Sequence, residues 1–224
     1  MILGDGWLKY NIWEHSPTVH ELYARRCRME AEEMTCAAQA AEVLKKLVKP
    51  GETLLDVGCG AGYFYHSLRA RGISAEYYGI DGSPTLIEIG RSILKNYGLP
   101  PERLQSIRIE DLDGAADHVL CMNVLSNIDN YHRPLERLLN TASKTLVLRE
   151  SIAEKTEYNY VTDKYLDKDL KVYVNTYSEH ELREFIESYG FDVEFVEDKY
   201  TRGEPQLVID HPHYWKFAVA RRRK

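Results

Sequence analysis

Residues 54–62 have the sequence LLDVGCGAG, and this stretch decides the fold. An apolar segment carrying one acidic residue, Asp56, runs into a G-x-G-x-G turn, and a helical pattern follows. Glycines in such a turn let backbone N–H groups approach a ligand that a Cβ atom would keep away. A carboxylate at Asp56 would repel a pyrophosphate, but it suits a ligand that carries an ammonium group. The stretch therefore predicts a strand, a turn and a helix that bind a small ligand with a cationic end.

The composition is typical of a globular protein. Hydrophobic residues make up 44% and charged residues 29% of the 224 residues, so we expect one domain over 1–224 with a well-buried core. The net charge of −6 disfavours nucleic acid as a partner. The sequence shows no long apolar run, no signal-like start and no C-x-x-C pair, so we expect a cytoplasmic protein with no membrane span and no metal.

Strands and helices alternate along the middle of the chain. Each of five predicted strands is followed by a helix or a polar turn; the strands are 53–57, 75–80, 105–109, 117–122 and 144–149. A capping box at Ser178 and Glu181 predicts a helix that ends at Gly190. Strand 191–197, a loop at 200–212 and a last strand at 214–220 follow. This alternation predicts an α/β fold with a mostly parallel sheet.

Two further segments of the chain could cover a binding site. Residues 1–50 form a predicted N-terminal helical cap, in which Thr18 and Glu21 have the spacing of a capping box. Residues 151–177 are polar and rich in tyrosine, without a clear period. We expect both segments to cover the active site.

The residues of the glycine turn have a known counterpart. The pattern D-x-G-x-G-x-G from Asp56 to Gly62, followed by a second strand that ends in Asp81, resembles the class I S-adenosylmethionine-dependent methyltransferases. The resemblance covers roughly residues 40–220. It implies a Rossmann-like, doubly wound sheet of seven strands, with the last strand antiparallel. It also implies S-adenosylmethionine as cofactor and S-adenosylhomocysteine as product.

Polar residues stand at the predicted carboxyl ends of the strands, where ligands of open α/β sheets bind. Asp56 and the glycine turn suit the methionine end of the cofactor, and Asp81 can accept both ribose hydroxyls. Either of two acidic residues after the third strand could accept from the adenine amino group. The predicted cofactor-binding residues are Asp56, Gly58, Cys59, Gly60, Gly62, Asp81, Gly82, Ser83, Glu110, Asp111, Leu112 and Asn123.

An alcohol acceptor needs a general base, and histidine suits that role at neutral pH. We predict His211 and His213, before the last strand, as the first candidates and His132 as the next. The alternative for each is a histidine without a chemical role. Four tyrosines of the insertion could line the acceptor pocket or simply pack as a lid; they are Tyr160, Tyr165, Tyr173 and Tyr177.

Two other classes of function share parts of this pattern. An NAD(P)-dependent reductase would use the Tyr160-x-x-x-Lys164 spacing, but Tyr63 occupies the third glycine position that dinucleotide sites prefer. The second class is a non-catalytic module that binds an adenosyl ligand. Such a sensor would not need two segments that enclose a second small ligand.

Within the methyltransferases, the segment Asn123-Val124-Leu125-Ser126 lacks the Asn-Pro-Pro-aromatic motif of enzymes that methylate DNA bases. Asp129-Asn130 follows the fourth strand rather than the fifth, so a catechol-type Mg²⁺ site is not expected. We therefore expect a small polar acceptor, such as a sugar derivative, methylated on oxygen. A small amine is the alternative acceptor, and a homodimer is an open possibility.

Overall fold

The computed structural model describes residues 9–164 and 170–224, so the prediction for Tyr165 lies outside the described residues. From Ile12 onward, the described part of the N-terminal cap contains the helices α1 (Ile12–His15), α2 (Pro17–Cys27) and α3 (Thr35–Lys45). The predicted capping box at Thr18 is wrong. Helix α2 begins at Pro17, because Ser16 caps it by accepting the N–H of Val19 at 3.2 Å and proline favours the first helical position.

Five strands and three helices follow the cap. The strands are β1 (Thr53–Val57), β2 (Glu76–Asp81), β3 (Leu104–Ser106), β4 (Ala116–Met122) and β5 (Ala142–Ala153). The helices are α4 (Phe64–Ala70) after β1, α5 (Pro84–Leu94) after β2 and α6 (His132–Thr141) after β4. Strand β3 is shorter than predicted, because residues 109–111 turn into a single 3-10 helix.

The last third of the chain contains more strands than the sequence predicts. Its elements are β6 (Tyr160–Thr162), β7 (Lys171–Tyr173), β8 (Tyr177–Ser178), α7 (Glu179–Ser188), β9 (Phe191–Glu197), β10 (Gln206–Val208), β11 (His211–His213) and β12 (Trp215–Arg222). The predicted loop 200–212 is wrong in part, because β10 and β11 form an antiparallel hairpin. The insertion likewise contains the hairpin of β6 and β7.

The central sheet has the predicted topology. Its strand order is β3-β2-β1-β4-β5-β12-β9, and β8 pairs with the end of β5. Strands β1 to β5 pair in parallel, whereas β12 runs antiparallel to both β5 and β9. The mostly parallel, seven-stranded path with an antiparallel last strand is confirmed. All five parallel strands end at one edge of the sheet, which we call the carboxyl edge.

Apolar side chains are buried on both faces of the sheet. One face packs Val57 and Leu146 beneath α6 and α7, and the other packs Leu54 and Phe217 beneath α3 and α4. Among the described residues, no helix is both long enough and apolar enough to cross a membrane.

Candidate functional site

The glycine turn after β1 is closely covered by two side chains. Gly60 has a φ of +58°, and a Cβ atom added there would lie 2.1 Å from Cε1 of Tyr23 in α2. A Cβ atom at Gly58 would lie 2.1 Å from Cγ2 of Val124. Only glycine fits at both positions, because a Cβ would overlap the packed side chain in each case.

Asp81 stands at the end of β2 and joins two turns. Its Oδ2 accepts the N–H of Gly60 at 2.8 Å, and its Oδ1 accepts the N–H of Ser83 at 2.8 Å. Burial raises the pKa of Asp81 to about 6, and these two hydrogen bonds oppose the rise. Gly82 lies between them, so Asp81, Gly82 and Ser83 form one turn beside Gly60. The structure therefore brings together the predicted glycine turn and the predicted ribose-binding residues.

Asp56 lies within β1, and its side chain is buried. The Tyr77 hydroxyl of β2 donates to its Oδ2 at 2.8 Å. Burial raises the pKa of Asp56 to about 7, and the Tyr77 hydrogen bond opposes the rise. Asp56 therefore lies beneath the glycine turn, with one oxygen engaged by Tyr77.

The predicted adenine-binding residues lie in the 3-10 turn that follows β3. Arg108 Nε lies 3.6 Å from a Glu110 carboxylate oxygen and 3.5 Å from one of Asp111. The N–H of Leu112 donates to the carbonyl of Ile109 at 3.2 Å. Glu110 and Asp111 both approach Arg108, so both stay candidates for the contact with adenine.

Asn123 follows β4 in a left-handed conformation, with a φ of +57°. Its N–H donates to the carbonyl of Arg149 at 2.7 Å, and its Oδ1 accepts from the Arg149 guanidinium. Arg149 also donates to Asp198 at 2.7 Å, and both of these side chains are buried. The guanidinium lies 4.3 Å from the ring centroid of Trp215. A buried ion pair and an indole ring thus form the wall beside Asn123.

Glu150, the next residue of β5, is fully buried. Its Oε1 accepts the N–H groups of Val124 at 3.1 Å and Leu125 at 3.0 Å. Its Oε2 accepts the N–H of Ser126 at 2.8 Å and the Ser126 hydroxyl at 2.7 Å. One carboxylate therefore binds the whole turn that follows Asn123.

The N-terminal cap is attached to the turn that contains Asp81. Glu14 of α1 accepts from the Ser83 hydroxyl at 2.5 Å and from the Thr85 hydroxyl at 2.6 Å. The Ser83 hydroxyl also lies within donating distance of the Trp13 carbonyl, at 3.3 Å. These contacts hold the cap over the start of α5.

A small apolar cluster joins the cap to the two hairpins. Ile12 of α1 packs with Val172 of β7, and Val208 and Ile209 of the second hairpin pack against them. The rings of Tyr160 and Tyr173 stack with centroids 4.4 Å apart. Three segments that are far apart in sequence therefore meet in one cluster.

The three predicted catalytic histidines lie in different surroundings. His213 of β11 is fully buried, its Nδ1 lies 3.4 Å from the His211 carbonyl, and its ring centroid lies 4.9 Å from that of Trp215. Burial lowers the pKa of His213 to about 4. His211 is half-buried. His132 is exposed at the first residue of α6, where its ring stacks on Tyr131 at 4.1 Å.

The sequence did not point to several residues that shape the site. Tyr23 covers Gly60, and the Arg26 guanidinium lies 5.4 Å from the Tyr23 ring centroid and 5.2 Å from that of Tyr63. Arg149 and Glu150 were likewise missed as site residues. No short motif marks these four residues, although the aromatic character of the N-terminal segment was a usable signal for Tyr23.

The Tyr160 and Lys164 pair does not have the surroundings of a reductase pair. Tyr160 lies on β6 and stacks on Tyr173, whereas Lys164 forms an ion pair with Asp210 at 2.5 Å. In the described ranges, no group of three or more His, Cys, Asp or Glu side chains is placed to hold a metal ion.

Residues 30–195 match the family described as "Methyltransferase domain". Since this match spans well over half of the chain, the protein belongs to the methyltransferase domain family. The ribosomal protein L11 methyltransferase of Caldanaerobacter subterraneus subsp. tengcongensis is 35% identical over 88 residues, which is 38% of this chain and 28% of that protein. That of Thermosipho africanus is 29% identical over 90 residues, which is 40% of this chain and 34% of that protein. The matches thus span about a third of the length of these relatives.

Solved structures share the fold over nearly the whole chain. Magnesium protoporphyrin IX methyltransferase from Synechocystis PCC 6803, with bound S-adenosylmethionine, has a TM-score of 0.63 at 16% identity and covers 99% of this chain and 98% of its own. The CcbJ methyltransferase from Streptomyces caelestis has a TM-score of 0.59 at 13% identity, over 86% of this chain and 97% of its own. These similarities confirm the predicted Rossmann-like methyltransferase fold.

Proposed function

We propose that this methyltransferase uses S-adenosylmethionine as methyl donor and acts on a small polar acceptor. One observation carries the cofactor assignment: the Asp81 carboxylate joins the Gly60 turn to the Ser83 turn. That arrangement places a carboxylate at the carboxyl edge, where ligands of open α/β sheets bind and where ribose hydroxyls could donate to it. The Synechocystis structure with bound S-adenosylmethionine has the same fold, which supports the proposal.

The residues present fit this cofactor. The glycines at 58 and 60 leave out a Cβ atom that would overlap Val124 and Tyr23, and Asp56 and Asp81 provide two carboxylates beside this turn, of which Asp56 is buried. S-adenosylmethionine supplies an activated methyl group and a thioether leaving group when bound. The chain itself would then bind and orient the two reactants and keep water out.

The proposal of a small acceptor is supported by the enclosure of the carboxyl edge. The cap, the β6–β7 hairpin and the β10–β11 hairpin meet in the cluster around Ile12 and Val172. A binding site beneath such a cover suits a small ligand better than a large flat one. The similarity to ribosomal protein L11 methyltransferases covers only 38% of this chain, so it supports methyl transfer without specifying the acceptor.

His213 supports an oxygen acceptor. If its Nδ1 donates to the His211 carbonyl, Nε2 is left as a bare acceptor, and no described residue hydrogen-bonds to this buried atom. An acceptor hydroxyl could donate to it. Because burial lowers the pKa of His213 to about 4, the proton would pass to it only as methyl transfer makes the acceptor oxygen strongly acidic. A small neutral amine could make the same contact, so it stays the second candidate. His211 and His132 also remain predictions.

A pair of variants tests the base. We expect His213→Ala to lower turnover by roughly 10²–10⁴-fold, the usual contribution of a general base, and to leave S-adenosylmethionine affinity unchanged. His211→Ala is measured beside it, because it keeps the backbone carbonyl that faces His213 and tests the other histidine predicted in this hairpin. Equal turnover of both variants and wild type, with the acceptor found by screening, would remove His213 from the mechanism.

The function itself is tested by calorimetric titration with S-adenosylmethionine, S-adenosylhomocysteine and NADH. We expect micromolar binding of the two adenosyl ligands and no binding of NADH. Binding of NADH alone would contradict the proposal and favour a reductase instead. Cytoplasmic location and the lack of a nucleic-acid partner stay predictions.

A further inference from the structure

Glu150 is a buried acidic residue to which the proposed reaction gives no direct role. It lies at the carboxyl edge, in β5, and its two oxygens accept four hydrogen bonds of 2.7–3.1 Å from Val124, Leu125 and Ser126. All of these donors belong to one turn. Burying a carboxylate costs free energy even when it is hydrogen-bonded, and a turn of this kind can be closed by neutral groups. Closing the turn therefore does not by itself explain why a carboxylate occupies this buried position.

The turn that Glu150 binds lies directly against the proposed cofactor site. It begins after Asn123, whose left-handed backbone is uncommon for a residue other than glycine. The side chain of Val124 packs against Gly58 so closely that a Cβ atom there would lie 2.1 Å from Cγ2. The position of this turn therefore determines the shape of the surface against which a ligand at the glycine turn would lie.

We propose that Glu150 is a positioning residue: its ionised carboxylate holds the turn of residues 123–126 in the shape that admits the cofactor, and protonation of Glu150 loosens that turn. The proposal rests on the proposed function, because it concerns the same adenosyl site. An ionised carboxylate only accepts hydrogen bonds. A protonated one carries its own donor, and this donor would face the three N–H groups and the hydroxyl that now point at it.

In the cluster of side chains around Glu150, Glu150 is the group whose charge changes between pH 5 and 9. The Tyr177 hydroxyl donates to the Leu125 carbonyl, and burial raises its pKa further above neutrality. Burial also raises the pKa of the Cys121 thiol of β4 well above its usual range. Lys216 faces Glu150 across the β5–β12 pair, but its ammonium group contacts Glu179. Tyr177 and Cys121 thus stay neutral between pH 5 and 9, and Lys216 is neutralised by another partner.

The direction of the pH effect follows from the pKa of Glu150, which burial raises to about 7 from a usual 4.5. Since the folded protein holds this proton more tightly than the unfolded chain, the contribution of Glu150 to the free energy of unfolding falls as pH rises from about 4.5 to 7. Cofactor affinity should change in the opposite direction, because ionisation completes the hydrogen bonds of the turn. A residue with only a structural role would not produce these opposite trends.

The experiment measures the S-adenosylhomocysteine dissociation constant and the urea midpoint of the full chain between pH 5.5 and 8.5. Glu150→Gln imitates the protonated side chain at every pH. Glu154→Gln is the matched control, because it removes an exposed carboxylate just beyond the same strand. At pH 8.5 we expect Glu150→Gln to bind about tenfold more weakly than wild type, the effect of one lost charge-assisted hydrogen bond. The difference in affinity between Glu150→Gln and wild type should shrink severalfold by pH 5.5. Glu154→Gln should have the affinity of wild type at every pH.

Comparison with Glu150→Gln isolates Glu150 from Asp56 and Asp81, which also titrate near the site. A constant ratio of the two affinities at every pH, or equal affinities, would overturn the inference. If Glu150→Gln does not fold, Ser126→Ala removes one of the four hydrogen bonds and should weaken binding severalfold at pH 8.5; unchanged affinity would again overturn it. Failure of wild type to bind S-adenosylhomocysteine at any pH would instead overturn the proposed function, and the inference with it.

Discussion

The two halves of the carboxyl edge are built by different means. Around β1 and β2, backbone N–H groups and missing Cβ atoms form the site, and Asp81 links the two turns. Around β4 and β5, two buried side chains hold it: Arg149, paired with Asp198, and Glu150. The first half depends on local chain geometry, whereas the second depends on charges that are stable only when their partners are in place. Substitutions should therefore damage the two halves in different ways.

The largest effect is expected in the second half, from Arg149→Met. This change leaves Asp198 buried without its cation, and breaking such a pair typically costs about 3–5 kcal/mol of unfolding free energy. Urea denaturation measures the loss, and adding Asp198→Asn to the variant should restore part of it.

Arg183→Met is the matched control for Arg149→Met. Arg183 also stacks on a ring, that of Phe195 at 4.8 Å, and pairs with Glu179, but its side chain is 38% exposed. It should cost less than about 1 kcal/mol. If the two arginine variants lost equal unfolding free energy, burial of the ion pair would not be what makes this half of the site sensitive to substitution.

In the first half, Gly60→Ala should act mainly on ligand binding. The left-handed backbone costs about 1–2 kcal/mol for any residue with a Cβ, and the new methyl group must also displace the ring of Tyr23. The backbone cost should appear as lost stability, as at Gly72, whereas displacement of the Tyr23 ring from the glycine turn should lower S-adenosylhomocysteine affinity by about tenfold, which corresponds to 1.4 kcal/mol.

Gly72→Ala separates the two causes of the Gly60→Ala effect. Gly72 has a similar φ of +66°, but a Cβ atom there would meet nothing within 4 Å. Calorimetry should therefore find wild-type affinity together with a small loss of stability. If Gly72→Ala weakened binding as much as Gly60→Ala, contact with Tyr23 would not be the cause.

The smallest effect is expected from Glu14→Gln, at the junction of the cap and the first half. Burial alone would raise the pKa of Glu14, but hydrogen bonds from Ser83 and Thr85 outweigh it and lower the pKa below the usual 4.5. The stabilisation is therefore present above about pH 4.5 and is lost as pH falls further. At pH 7 we expect a loss of about 1 kcal/mol, as for a helix cap.

The control for Glu14→Gln is Glu21→Gln, which removes an exposed carboxylate of the same cap that pairs with Arg28 at 2.8 Å. Thermal denaturation should leave Glu21→Gln near wild type. A Glu14→Gln protein as stable at pH 7 as this control would show that the hydrogen bonds to α5 do not anchor the cap.

The contrast between the halves also explains what the sequence could predict. The glycine turn lies within nine consecutive residues, and the alternation of strands and helices places Asp81 beside it, so the sheet topology and this half of the site were predictable. Arg149 and Asp198 are 49 positions apart and meet only after β12 has inserted between β5 and β9. No local pattern encodes such a pair.

Local errors in the prediction have local causes. Ser16 and Thr18 are both good helix caps, and the choice of Ser16 depends on Pro17, which suits the first helical turn. The strands β10 and β11 have three residues each, and β11 contains Pro212, so neither has the alternation that predicts a strand. Their pairing depends on packing against the cap, which a sequence pattern does not reveal.

The contact between Tyr23 and Gly60 bears on where this enzyme can be cut. The family match begins at residue 30, whereas the ring that covers the glycine turn comes from α2, seven residues earlier, and Glu14 lies earlier still. A fragment that began at residue 30 and kept all later residues would contain the whole sheet and the complete D-x-G-x-G-x-G pattern. It would nevertheless lack the Tyr23 ring, so the glycine turn at which the cofactor would bind would be open to water on one side. The boundary of the sequence family and the boundary of the working binding site are therefore different places in this chain.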